Sequence, residues 1–440
     1  MSGATIYEFD ALVATGSDFA GAEDLHAVPD NVFGWLEGQC LKAAAEGDTA
    51  WLRLTQRRGR RVVQVTSFVG VIRAPDGYQI EVLPKVGKAI GGGATEARQL
   101  LIEMLSCLPG FRHVQTEAAR LSAAHMPILE IFIAEFLRSV EHIVKRGLRS
   151  DYIRRQDNLF ALRGKLLMAS HLRQNLYRAD RFFTEHDEFS ADRAENRLLH
   201  AALRRVLTLS GSRANQRLAR ELDFVFADIP PSAQPWIDFQ RVRLDRGMGH
   251  YGDALAWARL ILEEESPLTG TGDLTAPSLL FPMEAVFEAF VAKHVPRQLT
   301  RPLVLKTQAR SRHLVRHREQ NWFRLKPDLL VRDGGREVLV LDTKWKLLDG
   351  LKADATNKYG LSQSDFYQLQ AYGQSYLGGS GDVVLIYPRT ALFDRPLQVF
   401  EFRNTEELRL WVLPFCLKSR SLLLPTEAPF ASSFTQTCSH

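Results

Sequence analysis

Asp328 follows Lys326-Pro327, and fourteen residues after it stands Asp342, opening Asp342-Thr343-Lys344. Two carboxylates and a lysine around one phosphodiester are the parts of a metal-dependent hydrolase: acidic oxygens hold Mg²⁺ and a cation helps to generate the attacking hydroxide. Asp342 and Lys344 are two apart, so on a strand both project from one face. Whether Asp328 joins them depends on hairpin register. A three-residue turn, Gly334 to Arg336, sets Asp328 opposite Asp342 on the same face. A two-residue Gly334-Gly335 turn sets it opposite Leu341, on the other face. The sequence leaves both registers open. A bare Asp-x-Lys is more often a salt bridge at a strand end than a catalytic pair, so the motif needs support from elsewhere.

Support comes from two helical segments. Glu288 lies on a segment running from Phe281 to Val295 and could supply a third acidic group, with Glu284 one turn earlier competing for the role. Gln368 and Tyr372 are four apart on a later helix, near Ser364 to Leu377, and share a face. An amide and a phenol there could brace the lysine or touch a phosphate. Between Lys293 and Lys326 stand ten Lys or Arg, three His and a single acid, Glu319. A polyanionic substrate approaching two carboxylates needs such a basic stretch. Arg310, Arg312, Arg316, Arg318 and Lys326 are the candidate nucleic-acid contacts within it.

The elements that must position these residues form a C-terminal domain, 276–440. Its order is a helix, strand material from Leu303 to Leu314, a hairpin of Asp328 to Arg332 and Glu337 to Trp345, the Ser364–Leu377 helix, then a buried strand Asp382 to Tyr387 stopped by Pro388. A helix joining two strands in this way is a crossover, so the sheet is mixed. Residues 1–110 read as a small β-rich domain. Its strands run Ile6 to Val13, Ala50 to Thr55, Val62 to Arg73 and Tyr78 to Leu83, the last two joined at Pro75-Asp76-Gly77. A helix fills Asn31 to Ala45. Residues 111–275 read as mostly helical, with apolar faces on Pro127 to Val144 and Ala191 to Leu209, and Ser266 to Pro277 reads as a linker. The fold class is multidomain α+β and α/β.

The chain has 440 residues, 45% of them hydrophobic, a formal net charge of +5 and a pI near 9.0. That length suits two or three domains, and the balance permits a nucleic-acid partner. Cys40, Cys107, Cys416 and Cys438 lack C-x-x-C spacing, which excludes a zinc framework and suits a reducing cytoplasm. No signal peptide and no membrane span are expected. Gly87-Lys88 and Gly164-Lys165 lack the glycine five residues earlier that a nucleotide-cradling loop needs. The chain is therefore not expected to bind a nucleoside triphosphate itself. The basic edge Arg57-Arg58-Gly59-Arg60-Arg61 is a candidate contact for a partner or DNA.

The Pro327-Asp328 … Asp342-Thr343-Lys344 arrangement resembles the PD-(D/E)XK nuclease superfamily, and the element order is similar to its αβββαβ core. Gln368-x-x-x-Tyr372 resembles the Q-x-x-x-Y element of the RecB-like branch, and Phe287-Glu288-Ala289-Phe290 its acidic first helix. Three further stretches resemble McrC proteins: Val69-Gly70-Val71-Ile72 leading into Ile80-Glu81-Val82-Leu83-Pro84-Lys85; Leu162-Arg163-Gly164-Lys165-Leu166; and Asp187-Glu188-Phe189-Ser190 followed by Glu195-Asn196-Arg197-Leu198-Leu199. The helical middle is long for the shorter members of that family.

The resemblance implies the nuclease subunit of a modification-dependent restriction system. Its partner would be an McrB-like AAA+ GTPase that binds the GTP and carries recognition of methylated double-stranded DNA. Residues 1–110 would dock on that partner and stimulate its GTPase. Asp328 and Asp342 would hold Mg²⁺ with the Thr343 carbonyl, Lys344 would orient or deprotonate the attacking water, and Glu288 would support a metal-bound water. Two rivals remain: a stand-alone RecB-like repair nuclease, and a non-catalytic scaffold that only regulates a GTPase.

Overall fold

The structure, a computed structural model, describes residues 3–15, 24–46, 51–57, 59–90, 93–108, 126–263, 278–307, 309, 312–403, 405 and 407–435. The chain divides into two compact units, one made of residues 1–128 with 266–440 and the other of residues 129–265. The expected linker, Ser266 to Pro277, lies outside the described residues.

The first segment contains β1 (Gly3–Tyr7), β2 (Ala11–Ala14), β3 (Leu25–Val28), α1 (Asp30–Glu46), β4 (Leu52–Arg57), β5 (Arg60–Val65), β6 (Phe68–Arg73), β7 (Gln79–Leu83), α2 (Lys85–Ile90) and α3 (Gly93–Leu105). The strand expected over Ile6 to Val13 is two strands, broken at Glu8-Phe9-Asp10, where Phe9 takes a φ of 70°. Asp10 accepts from the Tyr7 amide at 3.0 Å and so holds the corner. β3, β2, β5 and β4 form one sheet in that order. The basic edge is spent locally: Arg57 pairs with Asp24 and Arg61 with Glu37, while Arg58 lies outside the described residues.

The second unit contains α4 (Ile128–Arg146), β8 (Asp151–Leu159), β9 (Lys165–Leu166), α5 (Met168–Asn175), β10 (Phe182–Ser190), α6 (Ala194–Leu209), α7 (Arg213–Val225), α8 (Pro235–Arg241) and α9 (Tyr251–Glu263). The two helices expected from periodicity are α4 and α6. The unit also holds a three-stranded sheet, β8-β10-β9, which the sequence reading did not place. Buried Glu130 receives hydrogen bonds from Ser210 Oγ, the Gly211 and Ser212 amides and Asn215 Nδ2, and so fixes the turn between α6 and α7.

The first unit resumes with β11 (Ser278–Pro282), α10 (Met283–His294), β12 (Val304–Thr307), β13 (Arg312–His317), β14 (Gln320–Leu325), β15 (Leu329–Asp333), β16 (Arg336–Thr343), α11 (Gln363–Leu377), β17 (Ser380–Pro388), β18 (Phe400–Glu401), β19 (Glu407–Cys416) and β20 (Ser421–Leu422). β11 pairs antiparallel with β6 and completes the sheet β1-β7-β6-β11. Leu280 of β11 accordingly sits in one core with Ile6, Val63 and Ile72.

The large sheet runs β12-β15-β16-β17-β19-β18, with β20 on β19. β16, β17 and β19 are mutually parallel and the remaining pairs antiparallel. Residues Val383 to Tyr387 are fully buried, as a parallel strand covered on both faces requires. α11 is the crossover between β16 and β17, and it stops where Gly378 takes a left-handed φ of 72°. Its Leu369, Tyr372 and Tyr376 pack with Val340, Val383, Leu385 and Tyr387. One face of β16 and β17 is thereby fixed under one face of α11.

Candidate active site

The hairpin around Gly334-Gly335 meets neither of the two simple registers. Its turn is the two-residue form: Asp333 pairs with Arg336, and both glycines have positive φ, 52° and 96°. One pair further on the register shifts, so that Val331 faces Leu339 and Leu329 faces Leu341. The bulge accommodates Val338 as an extra residue on β16. Continuing by one step brings Asp328 level with Asp342, the arrangement that the three-residue turn alone was expected to give. Asp328 Oδ2 accepts from the Thr343 amide at 2.8 Å and from Thr343 Oγ1 at 2.7 Å, which holds it at the end of β16.

Asp342 and Lys344 share the α11 face of β16 by the two-residue period of a strand. Asp342 is 1% exposed, and its Oδ2 lies 2.6 Å from Lys344 Nζ. From that ammonium a line of contacts runs outward. Lys344 Nζ donates to Gln368 Oε1 at 3.1 Å, Gln368 Nε2 donates to Tyr372 Oη at 2.8 Å, and Tyr372 Oη donates to the Lys326 carbonyl at 3.0 Å. The lysine is thus tied to the backbone two residues before Asp328. Gln368 and Tyr372, chosen from sequence because they share a helix face, are the two residues that make this tie.

The electrostatics are those of a site short of positive charge. Burial, with the like charge of Asp328, pushes the Asp342 carboxyl up to about 7 despite Lys344. Burial pulls Lys344 the other way, but Asp342, Asp365 and Asp328 together outweigh it, and the ammonium is held above its ordinary range. A divalent cation fits this deficit. Asp342 Oδ2 is buried and receives no well-directed hydrogen bond, its contact with Lys344 being an ion pair. Mg²⁺ is typically held by one or two carboxylates while keeping several waters. Among the described residues no group of three or more His, Cys, Asp or Glu is gathered in a metal-holding arrangement. Glu288, half-buried on α10, is therefore not brought into such a set with Asp328 and Asp342. Its rival Glu284 accepts from Ser67 Oγ at 2.8 Å instead.

Two features escaped the sequence. Asp365 sits on α11 one turn before Gln368 and accepts from Tyr387 Oη at 3.2 Å, and its charge acts on both Asp342 and Lys344. The i, i+3 spacing from Asp365 to Gln368 was the available signal. Trp345, next to Lys344, donates its indole N–H to both oxygens of Glu8, at 2.7 and 3.0 Å, across 337 residues. The Lys85 amide also donates to Glu8, at 3.0 Å, and Lys85 Nζ lies 4.0 Å from it. Nothing in either local sequence announces this junction.

Of the expected nucleic-acid contacts, Arg316, Arg318 and Lys326 are exposed. Arg312 is engaged with the Ser375 carbonyl, Glu337 and the Tyr376 ring. Arg310 lies outside the described residues.

No curated protein sequence matches the chain. Among solved structures, it resembles a chain of the refined half-complex from the tetradecameric assembly of Thermococcus gammatolerans McrB AAA+ hexamers with bound McrC. The TM-score is 0.69 at 21% identity, covering 96% of this chain and 97% of that one. A chain of the Thermococcus gammatolerans McrBC complex matches at a TM-score of 0.49 and 22% identity, covering 67% of this chain and 88% of that one. The family model described as McrBC 5-methylcytosine restriction system component matches residues 63–388, a span holding Asp328, Asp342, Lys344, Gln368 and Tyr372 and well over half of the sequence. The chain belongs to that family.

Proposed function

We propose that this chain is the Mg²⁺-dependent DNA endonuclease subunit of a GTP-dependent, methylcytosine-directed restriction complex, and that it stimulates the GTPase of an McrB-like AAA+ partner. The observation that carries the nuclease reading is the Asp328–Asp342–Lys344 cluster at the end of the central strand, braced through Gln368 and Tyr372. Asp342 and Asp328 would hold the metal, with Oδ1 the Asp328 atom left over from Thr343 and the Thr343 carbonyl as a further candidate, while Glu288, outside that set, would serve at most a metal-bound water. Bound there, a divalent cation polarises the scissile phosphate and lowers the pKa of water.

The chain's own residues do the rest. Lys344 keeps its proton, so it acts by donating to water and to the phosphate oxygens where negative charge grows. Gln368 fixes the ammonium against Asp342, and Tyr372 fixes Gln368. One such site cuts one strand, so a double-strand break needs two copies or two engagements. The partner assignment rests on family membership and on the McrB hexamers in the similar assembly. On the sequence reading residues 1–110 meet that partner. The exposed Tyr152, Phe160, Leu162, Tyr177 and Phe189 around the β8-β10-β9 sheet favour the second unit as the docking surface instead.

The test is cleavage of methylated and unmethylated plasmid with Mg²⁺, with and without the partner and GTP, by wild type and Asp342→Ala. The expected result is cutting only with methylation, partner and GTP, lost in Asp342→Ala while GTP turnover persists. Cutting by the chain alone would replace this reading with a stand-alone nuclease. GTP turnover stimulated without any cutting would leave the scaffold.

A further inference from the structure

Among the described residues the ribbon β13–β14 pairs only with itself and lies outside the large sheet. Its root is bolted to α11, the helix that holds Lys344. Leu325 is buried, its carbonyl accepts from Tyr376 Oη at 3.4 Å, and Arg312 reaches the Ser375 carbonyl and the Tyr376 ring. Three residues beyond Leu325 comes Asp328. Residues 314–324 are open to solvent. Leu314, Val315, Trp322 and Phe323 are 52%, 44%, 45% and 69% exposed, an unusual concentration for so short an element.

The backbone of the ribbon is also unusual. Its two-residue turn is Arg318-Glu319 with φ of 44° and 63°, a conformation that glycine or asparagine normally supplies. Phe323 takes a φ of 54°, and the pair it would make with Leu314 is missing from the ladder. Val315 and Trp322 are directly paired, and the His317 ring lies against Trp322 at 4.8 Å. Arg316, Arg318, Arg324 and Lys326 surround these apolar surfaces, with Glu319 the one acid in this stretch. A ligand for such a surface must be anionic and must also offer flat apolar faces. Nucleic acid does both: phosphates meet the arginines and bases stack on the rings.

We propose that the β13–β14 ribbon is the DNA-engaging arm of this active site, with Trp322 and Phe323 stacking on bases next to the phosphate to be cut. Arg316, Arg318 and Arg324 hold the flanking phosphates, and Arg312 is the anchor that ties the arm to α11. The proposal rests on the nuclease reading. It adds base contact, and with it local unstacking of the duplex, to what would otherwise be phosphate contact alone.

The test uses the full-length chain with its partner and GTP, a methylated duplex carrying 2-aminopurine at successive positions across the mapped cut, and Ca²⁺ in place of Mg²⁺ to hold the DNA uncut. Wild type should raise 2-aminopurine fluorescence at one step beside the cut. The double variant Trp322→Ala/Phe323→Ala should lose that rise and weaken binding about tenfold or more, with the salt dependence of binding unchanged. Arg316→Ala/Arg318→Ala should keep the rise and reduce the slope of log affinity against log salt by about 2. Trp322→Tyr/Phe323→Tyr should retain stacking, which guards against a folding defect in the alanine pair. An aromatic double variant that binds, unstacks and cuts like wild type would overturn the proposal alone. Normal DNA binding with lost partner association would reassign the surface to an acidic face of the partner. A wild type that cuts under no condition would remove the nuclease reading, and the arm with it.

Discussion

Glu8 and Asp342 are both buried carboxylates that stand beside lysines in the first unit, and they are built differently. Glu8 and Asp342 are each almost wholly enclosed, and burial pushes each up to about 7. Around Glu8 the fold supplies neutral donors: the Trp345 indole to both oxygens and the Lys85 amide, with the Lys85 ammonium standing 4.0 Å off. Around Asp342 it supplies charge. Lys344 is in contact at 2.6 Å, while Asp328 and Asp365 add negative charge nearby. A carboxylate whose lone pairs are filled by fixed N–H groups is a structural joint. One left short of donors and set among other acids is, on the proposed function, a seat for a cation. The same residue chemistry at the same burial thus serves two purposes, and the count of neutral donors separates them.

That contrast can be broken at either end. The largest effect belongs to Asp342→Asn, which should lower plasmid cleavage by about a thousandfold or more. Its melting temperature should hold or rise, because a repelled buried charge is gone. A cleavage-dead variant that also melted markedly lower would put Asp342 in the structural class. Glu8→Ala should do the reverse in stability, losing about 3 kcal/mol in urea unfolding as the Trp345 N–H and Lys85 are stranded.

Next in size is a pH effect. The Glu8 carboxyl rises from an ordinary 4.5 to about 7 in the fold, so its contribution is fully present below pH 4.5 and is lost as pH climbs through 7. Glu8→Gln removes this dependence. Melting at pH 5 and pH 8 should show the wild type losing ground to the variant by about 2–3 kcal/mol. A constant gap between the two would mean that Glu8 is ionised throughout. The smallest effect is that of Gln368→Ala, about tenfold in cleavage rate with DNA affinity unchanged, since it positions Lys344 without touching substrate. An affinity loss with the rate intact would make Gln368 a DNA contact.

The parts legible in the sequence were those whose partners are close in the chain. Gln368 and Tyr372 share a helix face by spacing alone, and Asp342 with Lys344 share a strand face. The hairpin register was not legible, because it turns on a bulge at Val338, a residue that looks like any other valine of an apolar run. β8 and β10 were missed because their sequences, DYIRRQDNL and FFTEHDEFS, are rich in charge, β8 being mostly exposed and β10 mostly half-buried, with little alternation to read. The Glu8–Trp345 joint has no local signature, since each half makes sense only in the presence of the other. Glu284 and Glu288 were indistinguishable by composition, and what set them apart was the Ser67 hydroxyl, 217 residues from Glu284.

The pairing of β6 with β11 has a consequence for how the chain is made. Phe68 to Ile72 is an apolar strand, buried throughout in the finished molecule, whose open edge is closed only by Ser278 to Pro282. A ribosome adding about 5–20 residues per second takes roughly 10–40 s to cover the intervening stretch of about 200 residues. During that interval the N-terminal sheet carries an unpaired hydrophobic edge and Glu8 has no indole. Residues 129–265, contiguous in sequence, can collapse in the meantime, so the unit encoded in the middle is complete before the unit that starts the chain. Nascent chains halted before residue 278 should therefore be the ones that chaperones hold and that aggregate when chaperones are scarce.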